Sequence, residues 1–238
     1  MSSNDPQNPS PAEQIPLTSR VGQKEEVRRI IREHYDRGDT SGWFETLYAW
    51  AGDDATRIPW ADKRPNKNLV AWLQREQIRG NGRSAVVVGC GLGDDAELLA
   101  RHGFKVTAFD LSRSAVDWCV RRFQGSRVTY RQADLLALPR EWVGAFDFVF
   151  EAYTLQTMPR GARPRGIDAV ASLVRPGGEL LLICRGRDEQ DDPGDLPWPL
   201  TPAELSRIDA AGLKRLSSED YLDNEDPPVR RFRVLFSR

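Results

Sequence analysis

Three glycines in five positions, Gly89-Cys90-Gly91-Leu92-Gly93, decide most of what this chain can fold into. The segment before them, Ser84-Ala85-Val86-Val87-Val88, is short, apolar and β-branched, the pattern of a buried strand. The segment after them, Ala96-Glu97-Leu98-Leu99-Ala100-Arg101, has helical composition. Strand, glycine turn and helix make a loop whose backbone can approach a ligand that a Cβ would push away, and the helix N-terminus offers free N–H groups. A second strand, Lys105 to Phe109, ends in Asp110, about 20 residues after the first glycine, where an acid receives ribose hydroxyls. The unit predicts a nucleoside site in an open α/β sheet.

That nucleoside is not a dinucleotide. A dinucleotide loop needs Gly-x-Gly-x-x-Gly or Ala, but here the third glycine comes one position early and Asp94 takes the last place. An acid there repels a pyrophosphate and is tolerated beside a cationic ligand without phosphate. A purely structural turn is the alternative, because a glycine loop alone is a weak signal. The spacing from Gly89 to Gly93, followed by Asp94 and Asp95, resembles motif I of the class I S-adenosylmethionine-dependent methyltransferases.

At 238 residues, 39% of them hydrophobic, the chain can bury one full core and carry a modest extension. A net charge of −1 gives no overall drive toward nucleic acid or membrane, and no apolar run approaches bilayer-spanning length. The start, Met1-Ser2-Ser3-Asn4-Asp5-Pro6, lacks the regions of a signal peptide, so a cytoplasmic protein is expected. Cys90, Cys119 and Cys184 are too scattered for a disulfide framework and read as small buried residues. With only His34 and His102 beside them, no metal site is expected.

Residues 1–20, rich in Pro, Ser, Asn and Gln, read as a disordered leader. Residues 21–80 read as an N-terminal helical cover, with helices over 24–37, 42–50 and 69–74. Trp43, Trp50 and Trp72 are expected to cover a sheet face, and Trp60, in a proline turn, to point into a cleft. Residues 81–238 read as the nucleoside-binding domain. Ser112 caps a helix, and strands follow at 128–132, 146–150 and 179–184. Asp134 ends the third strand, where it can accept from an adenine amino group. Glu151 and Tyr153 leave the fourth strand over the centre of the crevice. The segment Arg185 to Leu200, with Trp198 between two prolines, reads as a lid or substrate loop, and Thr201 opens the next helix with a capping box. In the last strand Arg231 and Arg233 alternate with Phe232, Val234 and Phe236, the pattern of a solvated face. Arg230 and Arg231 are candidates for an anionic substrate group.

The order of elements resembles the class I methyltransferase fold, α/β and doubly wound: a mostly parallel seven-stranded sheet with an antiparallel last strand and the N-terminal helical cover. The resemblance implies cofactor contacts at Trp60, Gly89, Cys90, Gly91, Gly93, Asp110, Leu111, Ala133, Asp134, Leu135 and Glu151, with S-adenosyl-L-homocysteine as product. The Trp-rich segment with Pro59-Trp60, and Pro197-Trp198-Pro199-Leu200 followed by Glu204, are similar to the thiopurine, thiol and halide methyltransferase group. That narrower resemblance implies methyl transfer to a small thiol or chalcogenide. N- or O-methylation of a specialised metabolite is the alternative. Tyr153, Arg185, Trp198 and Arg230 are the substrate candidates, and Tyr153 and Glu151 the catalytic ones, with His34 a further base for phenols or amines. A monomer or weak dimer acting on a small molecule, without nucleic acid or membrane, is expected.

Overall fold

A computed structural model describes residues 17–238, with side chains from Gln23 onward. Residues 1–16, most of the expected leader, lie outside the described residues. Strands β1 (Ser84–Val88), β2 (Lys105–Asp110), β3 (Thr129–Gln132), β4 (Phe146–Ala152), β5 (Val174–Arg185), β6 (Lys214–Leu222) and β7 (Arg230–Ser237) form one sheet. Their order is β3-β2-β1-β4-β5-β7-β6. Strands β1 to β5 pair in parallel, and β7 runs antiparallel to both its neighbours. This is the expected sheet. The chain reverses direction of winding between β1 and β4, so a crevice opens beyond their carboxyl ends.

The helices are α1 (Leu17–Asp36), α2 (Trp43–Ala51), α3 (Lys67–Arg75), α4 (Asp94–Arg101), α5 (Arg113–Arg122), α6 (Arg163–Ser172) and α7 (Pro202–Ala210). Apolar residues of α3 and α4, among them Leu69, Trp72 and Leu99, pack on Ala85, Val87, Phe148 and Phe150. On the other face Ile167 and Val170 of α6 and Leu205 and Ile208 of α7 pack on Val86, Val149, Leu180 and Leu182. Being covered on both sides is why β1, β4 and β5 are nearly unbroken apolar runs. Helices α1 and α2 form a third cluster, in which Ile30, Trp43 and Leu47 join Leu92 and the α5 residues Ala115 and Trp118.

Helix α1 begins at Leu17, inside the span expected to be leader. Strand β5 begins at Val174 rather than Glu179, because the pairing with β4 resumes across a register shift: Phe146 faces Val174 and Phe148 faces Glu179. Gly177, at φ +76°, and Gly178, where a Cβ would lie 2.8 Å from the Phe146 carbonyl oxygen, allow the intervening residues to bulge.

The largest correction concerns β7. Arg231 and Arg233 are buried, 3% and 7% exposed, rather than solvated. Helix α3 and the β4 loop cover that face, and acids from β6 and its turn meet the guanidiniums. Arg233 pairs with Glu219 and donates to the Asn68 carbonyl, while Arg231 pairs with Asp223 and Glu225. Hydrogen bonds from Arg75 and Arg233 hold the Glu219 carboxyl down at about 2. Buried charges persist only when paired in this way.

Candidate active site at the carboxyl edge of the sheet

The glycine loop leaves β1 with Gly89, Gly91 and Gly93 at φ +59°, +52° and +86°, a conformation L side chains rarely adopt. The Gly91 amide donates to Asp110 Oδ2 and the Ser112 amide to Oδ1, both at 2.9 Å. Burial pushes the Asp110 carboxyl up, and these amides oppose the shift. The Ala133 amide donates to the Asp110 carbonyl oxygen, which brings the end of β3 beside the end of β2. There Asp134 is exposed, with Oδ1 accepting from Leu136 N at 2.8 Å. Leu135 is buried, and Leu111 and Ala133 are half-buried beside it. Two carboxylates at adjacent strand ends, a backbone-lined loop and apolar flanks suit a nucleoside with a ribose diol and an exocyclic amine.

Asp94 does not face a cationic ligand. It is held by both terminal nitrogens of Arg122, at 2.8 and 3.0 Å, and Arg122 also donates to the Leu92 carbonyl. Its charge therefore stiffens the loop. Asp95 accepts from the Asn66 amide at 2.6 Å and ties α4 to the start of α3.

The cover reaches this loop through Trp60 and through two residues the sequence reading missed, Tyr48 and Glu45. Tyr48, fully buried on α2, lies close enough that a Cβ on Gly91 would sit 3.1 Å from its hydroxyl oxygen. Trp60 is 44% exposed, and its indole N–H donates to the Tyr48 hydroxyl at 3.0 Å. Its indole thus stands half open on the cover side of the loop. Glu45 docks α2 by accepting from the Ser112 and Ser114 hydroxyls at 2.7 and 2.6 Å. It is the one charged residue between Trp43 and Ala51, a signal that could have found it.

Beyond β4 the expected groups are tied up. Glu151 is wholly buried, and its Oε1 accepts from the amides of Thr154 and Leu155 at 2.8 and 3.0 Å. Its Oε1 caps the turn after β4, and its Oε2 is buried without a hydrogen-bond partner among the described residues. Tyr153 adopts φ +71°; its hydroxyl accepts from Asn68 Nδ2 at 3.1 Å, and the Arg231 guanidinium lies 4.8 Å over its ring. That contact ties the turn after β4 to α3. His34 is engaged at both ring nitrogens, by Asp39 and Thr46, each at 2.8 Å.

Residues 85–178 match the family described as Methyltransferase domain. Over 197 residues the chain is 26% identical to "Probable thiol methyltransferase 2" of Arabidopsis thaliana, covering 80% of this chain and 79% of that one. It is 25% identical to a "Thiopurine S-methyltransferase" of Legionella pneumophila, covering 68% and 80%. It is 36% identical to a "Ubiquinone biosynthesis O-methyltransferase" of Azotobacter vinelandii over a shorter match, 61% and 62%. Among solved structures, 1,6-didemethyltoxoflavin-N1-methyltransferase of Burkholderia thailandensis shares the fold, with a TM-score of 0.63 at 18% identity over 85% of this chain and 88% of that one. The chain carries a methyltransferase domain in the class I methyltransferase fold.

In this methyltransferase, which resembles the thiol and thiopurine group, the segment after β5 is pinned rather than free. Leu200 N donates to the Arg185 carbonyl, Arg187 N to the Leu200 carbonyl, and Trp198 N to the Gln156 carbonyl at 2.7 Å. Arg163, 1% exposed, donates to the carbonyls of Met158 and Trp198 and pairs with Glu204. It thereby clamps the turn after β4 to the loop after β5, and no local pattern announced it. The capping box of Thr201 and Glu204 is present. Arg185 is half-buried at the end of β5, and its guanidinium makes no hydrogen bond or ion pair with the described residues. Arg230 does not wait for a substrate anion, because it pairs with Asp220 at 2.7 and 2.8 Å and with Asp188 at 3.0 Å. Cys119 and Cys184 are wholly buried and Cys90 half-buried. Among the described residues no helix is long and apolar enough to cross a membrane, and no cluster of acidic, His and Cys side chains could hold a metal.

Proposed function

We propose that this methyltransferase methylates a small-molecule thiol. The observation that carries the reading is the state of the proton acceptors expected at the crevice: Glu151 is wholly buried with Oε1 accepting from two backbone amides, the Tyr153 hydroxyl accepts from Asn68, and His34 is engaged at both ring nitrogens. A thiol, with an ordinary pKa of about 8.5, reaches its nucleophilic form without a dedicated base, whereas a phenol or amine acceptor asks more of the site. The relatives named for thiol and thiopurine methylation, which match over most of this chain, support the same choice.

Asp110 receives the ribose hydroxyls and Asp134 the adenine amine, with Leu111, Ala133 and Leu135 flanking the base. The backbone of Gly89, Cys90, Gly91 and Gly93 lines the amino-acid end, and Trp60 closes the cofactor from above. When bound, S-adenosylmethionine supplies a methyl group on a sulfonium, so that a C–S bond to the thiolate forms as the old bond's electron pair stays with the cofactor sulfur. The chain's task is alignment and exclusion of water, which needs no residue to change its covalent state. Arg185, the unpaired cation at the end of β5, favours the thiolate over the thiol.

Transfer of labelled methyl to a panel of sulfide, alkyl and aromatic thiols, phenols and amines tests this reading. Turnover confined to thiols supports it, and turnover of phenols alone overturns it. The second reading, O-methylation, rests on the 36% identity to the ubiquinone biosynthesis O-methyltransferase.

A further inference from the structure

The second acid after the glycine loop has no counter-ion. Arg122 takes Asp94, but among the described residues no Lys, Arg or His pairs with Asp95, the next residue of α4. Nor is Asp95 spent on its own helix. The N-cap of α4 is Gly93, which has no side chain to cap with, and Asp95 Oδ1 accepts instead from the Asn66 amide at 2.6 Å. Its Oδ2 has no hydrogen-bond partner among the described residues, and unlike Glu151 Oε2 it is not sealed from solvent. A half-buried carboxylate with one oxygen open and unpaired favours a cation there. Its place in the fold says which cation. Asn66 caps α3, Asn68 of α3 donates to the Tyr153 hydroxyl, and Thr154 lies against Gly89, where a Cβ would come 2.1 Å from Thr154 Oγ1. These contacts ring the ends of β1 and β4, where the winding of the sheet reverses, and Asp95 stands on the α3 side of the ring. With adenine over β3 and ribose over β2, the amino-acid end of the cofactor falls over β1, one strand spacing of about 4.8 Å further on.

We infer that Asp95 is the counter-ion of the cofactor's α-ammonium group, its Oδ2 accepting a charge-assisted hydrogen bond from that nitrogen. The inference rests on the cofactor seat proposed above and is independent of which acceptor is methylated. Burial pushes the Asp95 carboxyl up to about 7; the neighbouring Asp94 carboxylate adds to the shift and the Asn66 amide opposes it. An ammonium arriving at Oδ2 favours the ionised form, so binding sends the carboxyl proton to solvent, and cofactor affinity rises with pH through about 7. The acid that the sequence sets beside a cationic ligand is thus the second of the pair, Asp95, and the first serves the loop.

The test compares two ligands of the whole chain: S-adenosylhomocysteine, which keeps the amino-acid end, and 5′-methylthioadenosine, which lacks it. Titration calorimetry at pH 7 in buffers of different ionisation enthalpy counts the protons released by each. S-adenosylhomocysteine should release about half a proton more, the share of a carboxyl at about 7 that is still protonated there. Asp95→Asn keeps an oxygen for the Asn66 amide. It should abolish that difference, weaken S-adenosylhomocysteine on the order of tenfold and flatten its pH dependence between about pH 6 and 8, with 5′-methylthioadenosine affinity unchanged. Equal proton release by the two ligands in wild type overturns the inference whatever the variant does, and so does full S-adenosylhomocysteine affinity in the variant. A loss shared equally by both ligands also overturns it, because Asp95 would then support the loop and not the ammonium. If wild type binds neither ligand, the cofactor seat itself fails and the role of Asp95 with it.

Discussion

The Gly91 amide donates to Asp110 Oδ2 at 2.9 Å, so the proposed ribose acceptor also braces the loop that lines the cofactor. Asp110→Ala therefore removes two things at once. It should weaken S-adenosylmethionine binding at least tenfold and also destabilise the fold by about 1–3 kcal/mol through the stranded Gly91 and Ser112 amides. Asp110→Asn keeps one accepting oxygen and strands one of the two amides, so it should lose part of the thermal midpoint as well as affinity. Calorimetry with melting curves separates the effects; full affinity in the Asn variant would remove Asp110 from the site.

Two glycines in one loop should behave differently. Both Gly89→Ala and Gly91→Ala force a side chain into a positive-φ conformation, at about 1–3 kcal/mol. At Gly89 the new Cβ would also lie 2.1 Å from Thr154 Oγ1, the group that donates to the Val88 carbonyl. At Gly91 it meets only the Tyr48 hydroxyl, at 3.1 Å. Gly89→Ala should unfold at clearly lower temperature, and Gly91→Ala should mainly lose cofactor affinity by pushing on Tyr48 and Trp60. Equal melting temperatures for the two would contradict the packing described.

Glu151 makes stability depend on pH. Burial pushes its carboxyl up to about 7, so the folded chain holds a proton that the unfolded chain releases near 4.3. Its contribution is fully present below about pH 4.3 and is lost as pH rises through about 7, on the order of 3 kcal/mol in all. Glu151→Gln keeps an oxygen for the Thr154 and Leu155 amides and has no proton to lose. Melting curves between about pH 5 and 8 should fall for wild type and flatten for the variant. Parallel falls would assign the effect elsewhere.

Arg230→Ala should leave acceptor KM within about twofold and cost about 0–1 kcal/mol, since its partners Asp220 and Asp188 are surface carboxylates. A large rise in KM would restore Arg230 as a substrate ligand.

What was legible in the sequence is local. Strand, glycine loop and helix lie within one short stretch, Asp110 follows on the next strand, and Thr201 and Glu204 cap a helix three residues apart, so pattern and structure coincide. The roles that moved depend on partners distant along the chain. The Tyr153 hydroxyl meets a donor from Asn68, 85 positions away, which no local pattern shows. The alternation of β7 is real, yet it cannot say which face is wet. Here α3 covers the arginine face, and Glu219, 14 positions before Arg233, supplies the charge that makes its burial tolerable.

Helices α1 and α2 bear on both halves of the crevice: Tyr48 and Trp60 stand by the glycine loop, and Tyr35 stands by Trp198. One roof thus spans two rooms. Because Glu45 fixes that roof to α5 through Ser112 and Ser114, losing its carboxylate would loosen the walls of both at once.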